Sequence, residues 1–270
     1  MGEGLRIEGL SLRFGDLLVL DRVDLEVGEG EFVCLVGPSG CGKSTLLNVV
    51  AGFRLPGNPE IEGTVRWQGR VVRSHRDWRG ELGYVFQRDN LLPWYTLEQN
   101  VLIGLRVRQV PPHEAIRRAR QEITRVGLGG FERHFPHQLS GGMRQRASLA
   151  RTLVYGPKVL LMDEPFGALD AHTRMHLQRE LTGLWTEHRT TVLFVTHDLS
   201  EAIILGQRVV VLSNRPGRVT AEYCVPFTYP RDPVELQGRK EFAMLQAEVW
   251  SRLAEEFRRA DLYLLRERVP

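Results

Sequence analysis

The sequence predicts an α/β fold: a core with a mainly parallel sheet and crossover helices, an N-terminal antiparallel β layer, and an inserted helical lobe. Three observations carry that expectation. The segments "FVCLV", "VLLMD", "VLFVT" and "RVVVLS" are near-continuous apolar runs, as parallel strands buried on both faces are. Helical patterns lie between such runs; in "AHTRMHLQRELTGLWTEH", Leu177, Leu181, Leu184 and Trp185 share one face. The opening residues alternate instead. "LRIEGLSLRF" and, after a short turn, "VLDRVDLEV" read as antiparallel strands with one wet face.

Taken in order, residues 1–90 and 158–224 form the α/β core with its antiparallel layer. Residues 91–157 interrupt it with little strand signal and much helix, including Ile116, Ala119, Ile123 and Val126 at helical spacing, and read as the helical lobe. Residues 225–270 add a Pro-rich turn, "VPFTYPRDP", and a helix. Phe242, Leu245, Val249, Trp250, Leu253 and Phe257 make an apolar stripe across 235–259, expected to pack on the core rather than dock a partner. There is no internal repeat or low-complexity segment.

At 270 residues the chain is long enough for a full core and two lobes. Its 42% hydrophobic and 26% charged residues are ordinary for a soluble globular protein, and the net charge of +3 fits a negative ligand, a membrane surface or a plain solvated exterior. Cys34, Cys41 and Cys224, an odd set without a CxxC, suggest neither a disulfide framework nor a zinc site. The start "MGEGLRIEG" lacks the basic-then-apolar pattern of a signal peptide, and Arg6 replaces the hydroxyl that an acylated Met1-Gly2 start needs. The longest apolar candidate, "AIILGQRVVVLS", is broken by Gln207 and Arg208, so any membrane role is expected through a partner.

Residues 37–45, "GPSGCGKST", lie between an apolar strand and a helical stretch. The pattern Gly37-x4-Gly42-Lys43-Ser44 is that of a phosphate-cradling loop, hence of a P-loop NTPase core. Its glycines let successive backbone N–H groups turn toward one point, and the following helix adds its N-terminal donors and dipole. Lys43 reaches the terminal phosphates, and the Ser44 hydroxyl is a ligand for Mg²⁺. Such a loop serves kinases, GTPases and motors alike, so the second half of the site decides. "KVLLMDEP" ends an apolar strand at Asp163, a carboxylate for Mg²⁺, followed by Glu164, placed to polarise a water for attack on the γ-phosphate. "VTHDLSEA" brings His197 to the end of another core strand, and "GYVFQRDN" does the same for Gln87, a sensor of metal or water. Finally "LSGGMRQR" opens a second helix with a serine and two glycines, a second anion-binding N-terminus. Two phosphate sites for one nucleotide make sense when two chains share it.

With these segments in order the chain resembles the ATP-binding subunit of ATP-binding cassette transporters, over nearly its whole length. Gly37, Ser39, Gly40, Cys41, Gly42, Lys43, Ser44 and Thr45 are similar to the Walker A loop, and Gln87 to the Q-loop glutamine and metal sensor. Ser140, Gly141, Gly142 and Gln145 resemble the signature that acts in trans. Asp163 and Glu164 resemble Walker B and the catalytic carboxylate, Ala168-Leu169-Asp170 the D-loop, His197 the switch histidine, and Phe14 the aromatic under the adenine. The resemblance implies a homodimer closing head to tail on two ATP with Mg²⁺. It also implies separate membrane permease subunits and, indirectly, a solute-binding protein, with the chain held on the cytosolic face of the membrane.

"NLLPWYTLEQNV", "SNRPGRV" and "YPRDP" resemble importers of nitrate, sulfonates and taurine, with importers of pyrimidine or riboflavin-like compounds as the alternative. Residues 54–81 run longer than the family pattern. Residues 88–104 hold Leu91, Leu92, Trp94 and Tyr95 together around Pro93 and are expected to receive the permease. A soluble cassette ATPase acting on nucleic acid or the ribosome would show a basic stripe or a long coiled-coil insertion, and neither is present. A small-molecule kinase would need an acceptor pocket in place of the signature and Glu164.

Overall fold

The computed structural model describes residues 3–167 and 169–267, with side chains of the last helix described up to residue 258; Met1, Gly2, Ala168 and residues 268–270 lie outside the described residues. Among those described, the strands form two sheets. The first has the order β2-β1-β4-β5 and is antiparallel: β1 (Leu5–Phe14) pairs with β2 (Leu17–Val27) and with β4 (Glu60–Trp67), and β5 (Arg70–Val71) extends β4. The second has the order β10-β9-β3-β8-β7-β6, built from β3 (Phe32–Val36), β6 (Leu82–Val85), β7 (Val159–Asp163), β8 (Thr191–Val195), β9 (Arg208–Leu212) and β10 (Val219–Cys224). Its strands run parallel except for the edge strand β10, which the sequence reading did not anticipate.

The apolar runs are continuous because each central strand feeds two cores. Phe32, Cys34 and Val36, with Leu160, Met162, Val192 and Phe194, face a core shared with most of the helices. Val33 and Leu35, with Leu161, Leu193 and Val195, face the core under the antiparallel sheet and α1 (Lys43–Val50). Neither face meets water, so neither tolerates the alternation seen in β1 and β2.

Three helices pack on one another beside β6: α2 (Leu97–Val107), α3 (Pro112–Arg125) and α4 (Gly141–Leu153). Thr96 starts α2 with a capping box, its hydroxyl accepting from the Gln99 amide while the Gln99 side chain accepts from the Thr96 amide. Ala119, Ile123 and Val126 are buried on the inner face of the α3 segment. Of the stripe on α5 (Ala171–His188), Leu177, Leu181 and Trp185 are buried and Leu184 half-buried. The sequence "AIILGQRVVVLS" resolves into the end of α6 (Leu199–Leu205), a break at Gly206-Gln207, and β9. Among the described residues no helix is long and apolar enough to cross a membrane.

The C-terminal stripe is corrected in two respects. The helix is interrupted: α7 (Pro233–Gln237) ends before α8 (Lys240–Glu267) begins. Along α8, Phe242, Val249 and Leu253 are buried and Leu245 half-buried, whereas Trp250 is 55% and Phe257 38% exposed, their rings 6.0 Å apart on the outer side. Positions 250 and 257 stand seven residues apart, so they share a helical face that 249 and 253 do not centre.

Candidate functional site

The site is assembled by strand register. Val85 pairs with Met162, Met162 with Phe194, and Leu35 with Val195, so four adjacent parallel strands stop at nearly one level. Gln87 lies two residues past Val85, Glu164 two past Met162, and His197 three past Phe194, all at the carboxyl edge where open α/β sheets hold ligands. There Glu164 Oε2 takes Gln87 Nε2 at 3.4 Å and His197 Nδ1 at 3.1 Å. A carboxylate only accepts, so in this contact the imidazole proton is on Nδ1. Glu164 has φ 45°, the left-handed region that a β-branched or bulky residue avoids, and its amide donates to the Val195 carbonyl at 2.9 Å. Backbone strain of this kind collects at functional sites.

Between β3 and α1 the loop 37–42 wraps the Lys43 ammonium, which is buried and donates to the carbonyls of Gly37 and Pro38, 2.8 Å each. Gly42 caps α1 with φ 106° and no side-chain hydrogen bond; a Cβ there would lie 2.8 Å from Leu20 Cδ2 on β2. The first turn of α1 carries no acidic residue, leaving its free amides and dipole to an anion. Ser39, Gly40 and Ser44 are exposed, Thr45 half-buried and Cys41 buried.

Ser44 Oγ donates to Asp163 Oδ1 at 2.9 Å, the hydroxyl and carboxylate brought together across 119 residues. Burial pushes the Asp163 carboxyl up from its ordinary range, with the neighbouring Glu164 adding to the rise and Ser44 opposing it. A buried carboxylate beside a hydroxyl oxygen suits Mg²⁺, a hard cation that takes few protein oxygens and completes its shell with phosphate and water. Among the described residues no cluster of three or more His, Cys, Asp or Glu side chains could hold a metal ion.

The remaining predicted residues fall elsewhere. Ser140 is the N-cap of α4 and accepts from the Met143 amide at 3.2 Å; Ser140 and Gly141 are exposed and Gly142 half-exposed. No hydrogen bond joins them to the phosphate loop among the described residues. Gln145 does not share that surface: it is buried, and its Nε2 donates to the Phe86 carbonyl of its own chain at 3.3 Å. One turn into the helix, it points to the strand side and not to the open end. Asp170 caps α5, accepting from the Thr173 amide at 2.9 Å, and hydrogen bonding from the Thr173 amide and side chain holds its carboxyl below the usual range. Phe14 is half-buried at the end of β1, opposite Leu17, with Gly57 beside its ring.

Sequence reasoning missed the stitching of segment 84–90 to α4. Beyond Gln145, Arg144 Nε meets Asp89 Oδ2 at 2.9 Å, Arg151 donates to the carbonyls of Asn90 at 2.7 Å and Asp89 at 3.0 Å, and Thr152 Oγ1 donates to Tyr84 O at 3.3 Å. The "RQRASLART" spacing, polar at i, i+1, i+7 and i+8, was the available signal. It also missed Asn100, fully buried under the turn 92–96.

A family model described as ABC transporter matches residues 20–167. An uncharacterized ABC transporter ATP-binding protein of Methanocaldococcus jannaschii is 44% identical over 237 residues, covering 86% of each chain. A taurine import ATP-binding protein of Rhizobium johnstonii is 43% identical over 234 residues, 85% of this chain and 87% of that one. An aliphatic sulfonates import ATP-binding protein of Bacillus thuringiensis is 40% identical, with 82% and 84% covered. A bacterial ABC transporter cassette solved as a dimer superposes with TM-score 0.74 at 32% identity, covering 83% of this chain and all of the other. The same cassette bound to ADP and Pi after hydrolysis fits equally well, TM-score 0.74. With the phosphate loop, the Asp163-Glu164 strand end and His197 gathered at one sheet edge, the chain belongs to the ABC transporter family and is one of its ATP-binding, ATP-hydrolysing subunits.

Proposed function

We propose that this ATPase drives an importer, two copies closing head to tail on two ATP and working on a separate membrane permease. The observation that carries this is the division of the phosphate machinery within one chain. Glu164, His197 and Gln87 meet beside the phosphate loop, while the second helix N-terminus, at Ser140 and Gly141, is turned to solvent with no acidic residue in its first turn. Donors aimed outward suit an anion supplied by another molecule, here the ATP held on a partner's loop.

In this reading the loop amides from Gly37 to Thr45 and Lys43 hold the phosphates and Phe14 stacks on the adenine. Ser44 and Asp163, with Gln87, hold Mg²⁺, which neutralises charge on the phosphates. Glu164 takes the proton of the attacking water, and His197 holds Glu164 and the γ-phosphate in register. Gln87 reports to the permease face through the stitched segment: displacing it pulls on Phe86 and Asp89 and so on α4. Trp94, 67% exposed just beyond, with Tyr95, offers an aromatic anchor to the membrane partner. Asp170, at the start of α5, lies at the closing interface. The relatives named for taurine and aliphatic sulfonates support a sulfonate-like solute, nitrate belonging to the same anionic group. Co-purifying the permease and measuring ATPase stimulation by taurine, alkanesulfonates, nitrate, pyrimidines and riboflavin decides among these.

The shared-site mechanism is tested by Glu164→Gln. The amide is nearly isosteric, spares the phosphate contacts, and cannot act as a base, so turnover falls by about 10²–10⁴ while ATP still binds. With ATP and Mg²⁺ at high protein concentration the variant elutes as a dimer on a sizing column, and with ADP as a monomer. A variant that binds saturating ATP yet stays monomeric overturns the head-to-tail scheme.

A further inference from the structure

A turn to which no role at the nucleotide site was assigned holds the phosphate loop from behind. Residues 213–218 follow β9. Arg215 reaches from this turn to the tip of the loop and donates through Nη2 at 3.1 Å and Nε at 3.3 Å to the Gly40 carbonyl. Gly217 backs the next peptide: a Cβ there would lie 2.4 Å from the Cys41 carbonyl oxygen, a distance no side chain tolerates. The turn is itself fixed. Gly217 exchanges backbone hydrogen bonds with β2, its amide to Val19 O at 2.8 Å and its carbonyl from the Asp21 amide at 3.0 Å. The Asn214 amide donates to Glu256 Oε2 at 3.3 Å, a carboxylate buried at the inner side of α8, and Arg218 pairs with Asp21.

In a trans peptide the C=O and N–H point opposite ways. Holding the Gly40 carbonyl outward therefore turns the Cys41 N–H inward, where it donates to Pro38 O at 3.3 Å across the loop. A phosphate cradle works because such N–H groups converge. Gly40, at φ 77°, has no Cβ to resist rotation of the 40–41 peptide. If that plane flipped, a carbonyl oxygen would face the phosphates in place of a donor. The tethered guanidinium opposes the flip.

We infer that Arg215 is a positioning residue of the phosphate loop, keeping the Cys41 amide on the inner side of the loop, where it exchanges the Pro38 carbonyl for a nucleotide phosphate. The inference rests on the ATPase reading and concerns binding, not the hydrolytic step. The test uses the full chain as wild type, Arg215→Ala and Arg215→Lys. ATP affinity is titrated with a fluorescent ATP analogue, KM and kcat are measured separately, and thermal melting is recorded. Arg215→Ala raises Kd and KM for ATP by about 3- to 10-fold, the scale of losing a charge-assisted hydrogen bond at an exposed site. Its kcat stays within about twofold of wild type, and its melting temperature within about 2 °C. Lysine, which can still donate to the Gly40 carbonyl, restores most of the affinity. An unchanged KM in Arg215→Ala overturns the inference, as does a joint fall of kcat, affinity and melting temperature, which marks a merely structural residue. Wild type that fails to bind ATP overturns the ATPase reading and this inference with it.

Discussion

Removing the Asn100 amide should loosen the segment proposed to meet the permease. Asn100 is fully buried on α2 and closes the turn 92–96 over itself. Its Oδ1 accepts from the Leu92 amide at 2.8 Å, and its two N–H groups are shared among the carbonyls of Leu92 and Tyr95 at 3.1 Å and Thr96 at 3.0 Å. Two donated bonds and one accepted bond are the most an amide can supply here, each worth about 1 kcal/mol net. The half-buried Leu92 N–H then lacks its partner, so Asn100→Ala should cost on the order of 2–4 kcal/mol, a large part of a total of about 5–15 kcal/mol. Asn100→Asp is the sharper variant. It keeps the acceptor for Leu92 and the shape, but sets a carboxylate against three carbonyl oxygens, so it should be worse than alanine at pH 7 and improve on acidification. Urea unfolding gives the stability loss, and hydrogen exchange of peptides spanning 88–104 gives its location. Both variants should lose protection there first, with the amides of β3 and β7 unaffected at low urea. A loss under about 1 kcal/mol, or an aspartate as good as the wild type, refutes the account of the turn as held by the Asn100 donors.

Two further outcomes are expected. Glu201, in the same cleft as Glu164 and His197, has its carboxyl pushed up to about 7 by burial, with Asp198 contributing. The folded state then binds a proton that the unfolded chain has released, so stability falls as pH rises from about 4.5 to about 7, by on the order of 3 kcal/mol, and Glu201→Gln should flatten that slope. Denaturation midpoints at pH 5 and pH 8 check it, and equal slopes in the two proteins refute it. Phe14→Ala should weaken ATP binding by about 5- to 150-fold through lost stacking, and GTP comparably, because a π face does not read base edges; a folded variant that binds ATP as before removes Phe14 from the site.

The parallel strands and the phosphate loop were legible because their signals are local. A strand buried on both faces has no choice but a continuous apolar run, and Phe32 to Val36 shows one because its side chains alternate between two full cores. The loop is legible because its function needs backbone, and only glycines expose so much of it. The same logic explains the candidate site at the sheet edge: Asp163, Glu164 and His197 stand at or just past the ends of apolar runs, and register then places them together.

What escaped the sequence has another physical character. Gln145, Asn100, Arg215 and the buried Arg231 each satisfy backbone carbonyls, and the carbonyl that each one meets is set by the folded path of the chain and not by a residue type. Arg231 is the clearest case. It donates to the carbonyls of Ile203 at 2.9 Å, Ile204 at 3.1 Å and Gly206 at 2.7 Å, capping the C-terminal end of α6 with a cation from 25 or more residues away. Nothing in "YPRDP" announces that, because any helix end offers the same carbonyls. The contact of Gln145 was hidden for the same reason: its neighbours in sequence, Ser140 to Gly142, face solvent, while its own partner, Phe86, lies 59 residues upstream. The exposed ends of a motif are therefore read from its letters, but its anchors only from the chain that folds against it. Two of these anchors, Gln145 and Arg215, adjoin Gln87 and the phosphate loop, which ties the geometry of the candidate site to contacts that its motif letters do not spell out.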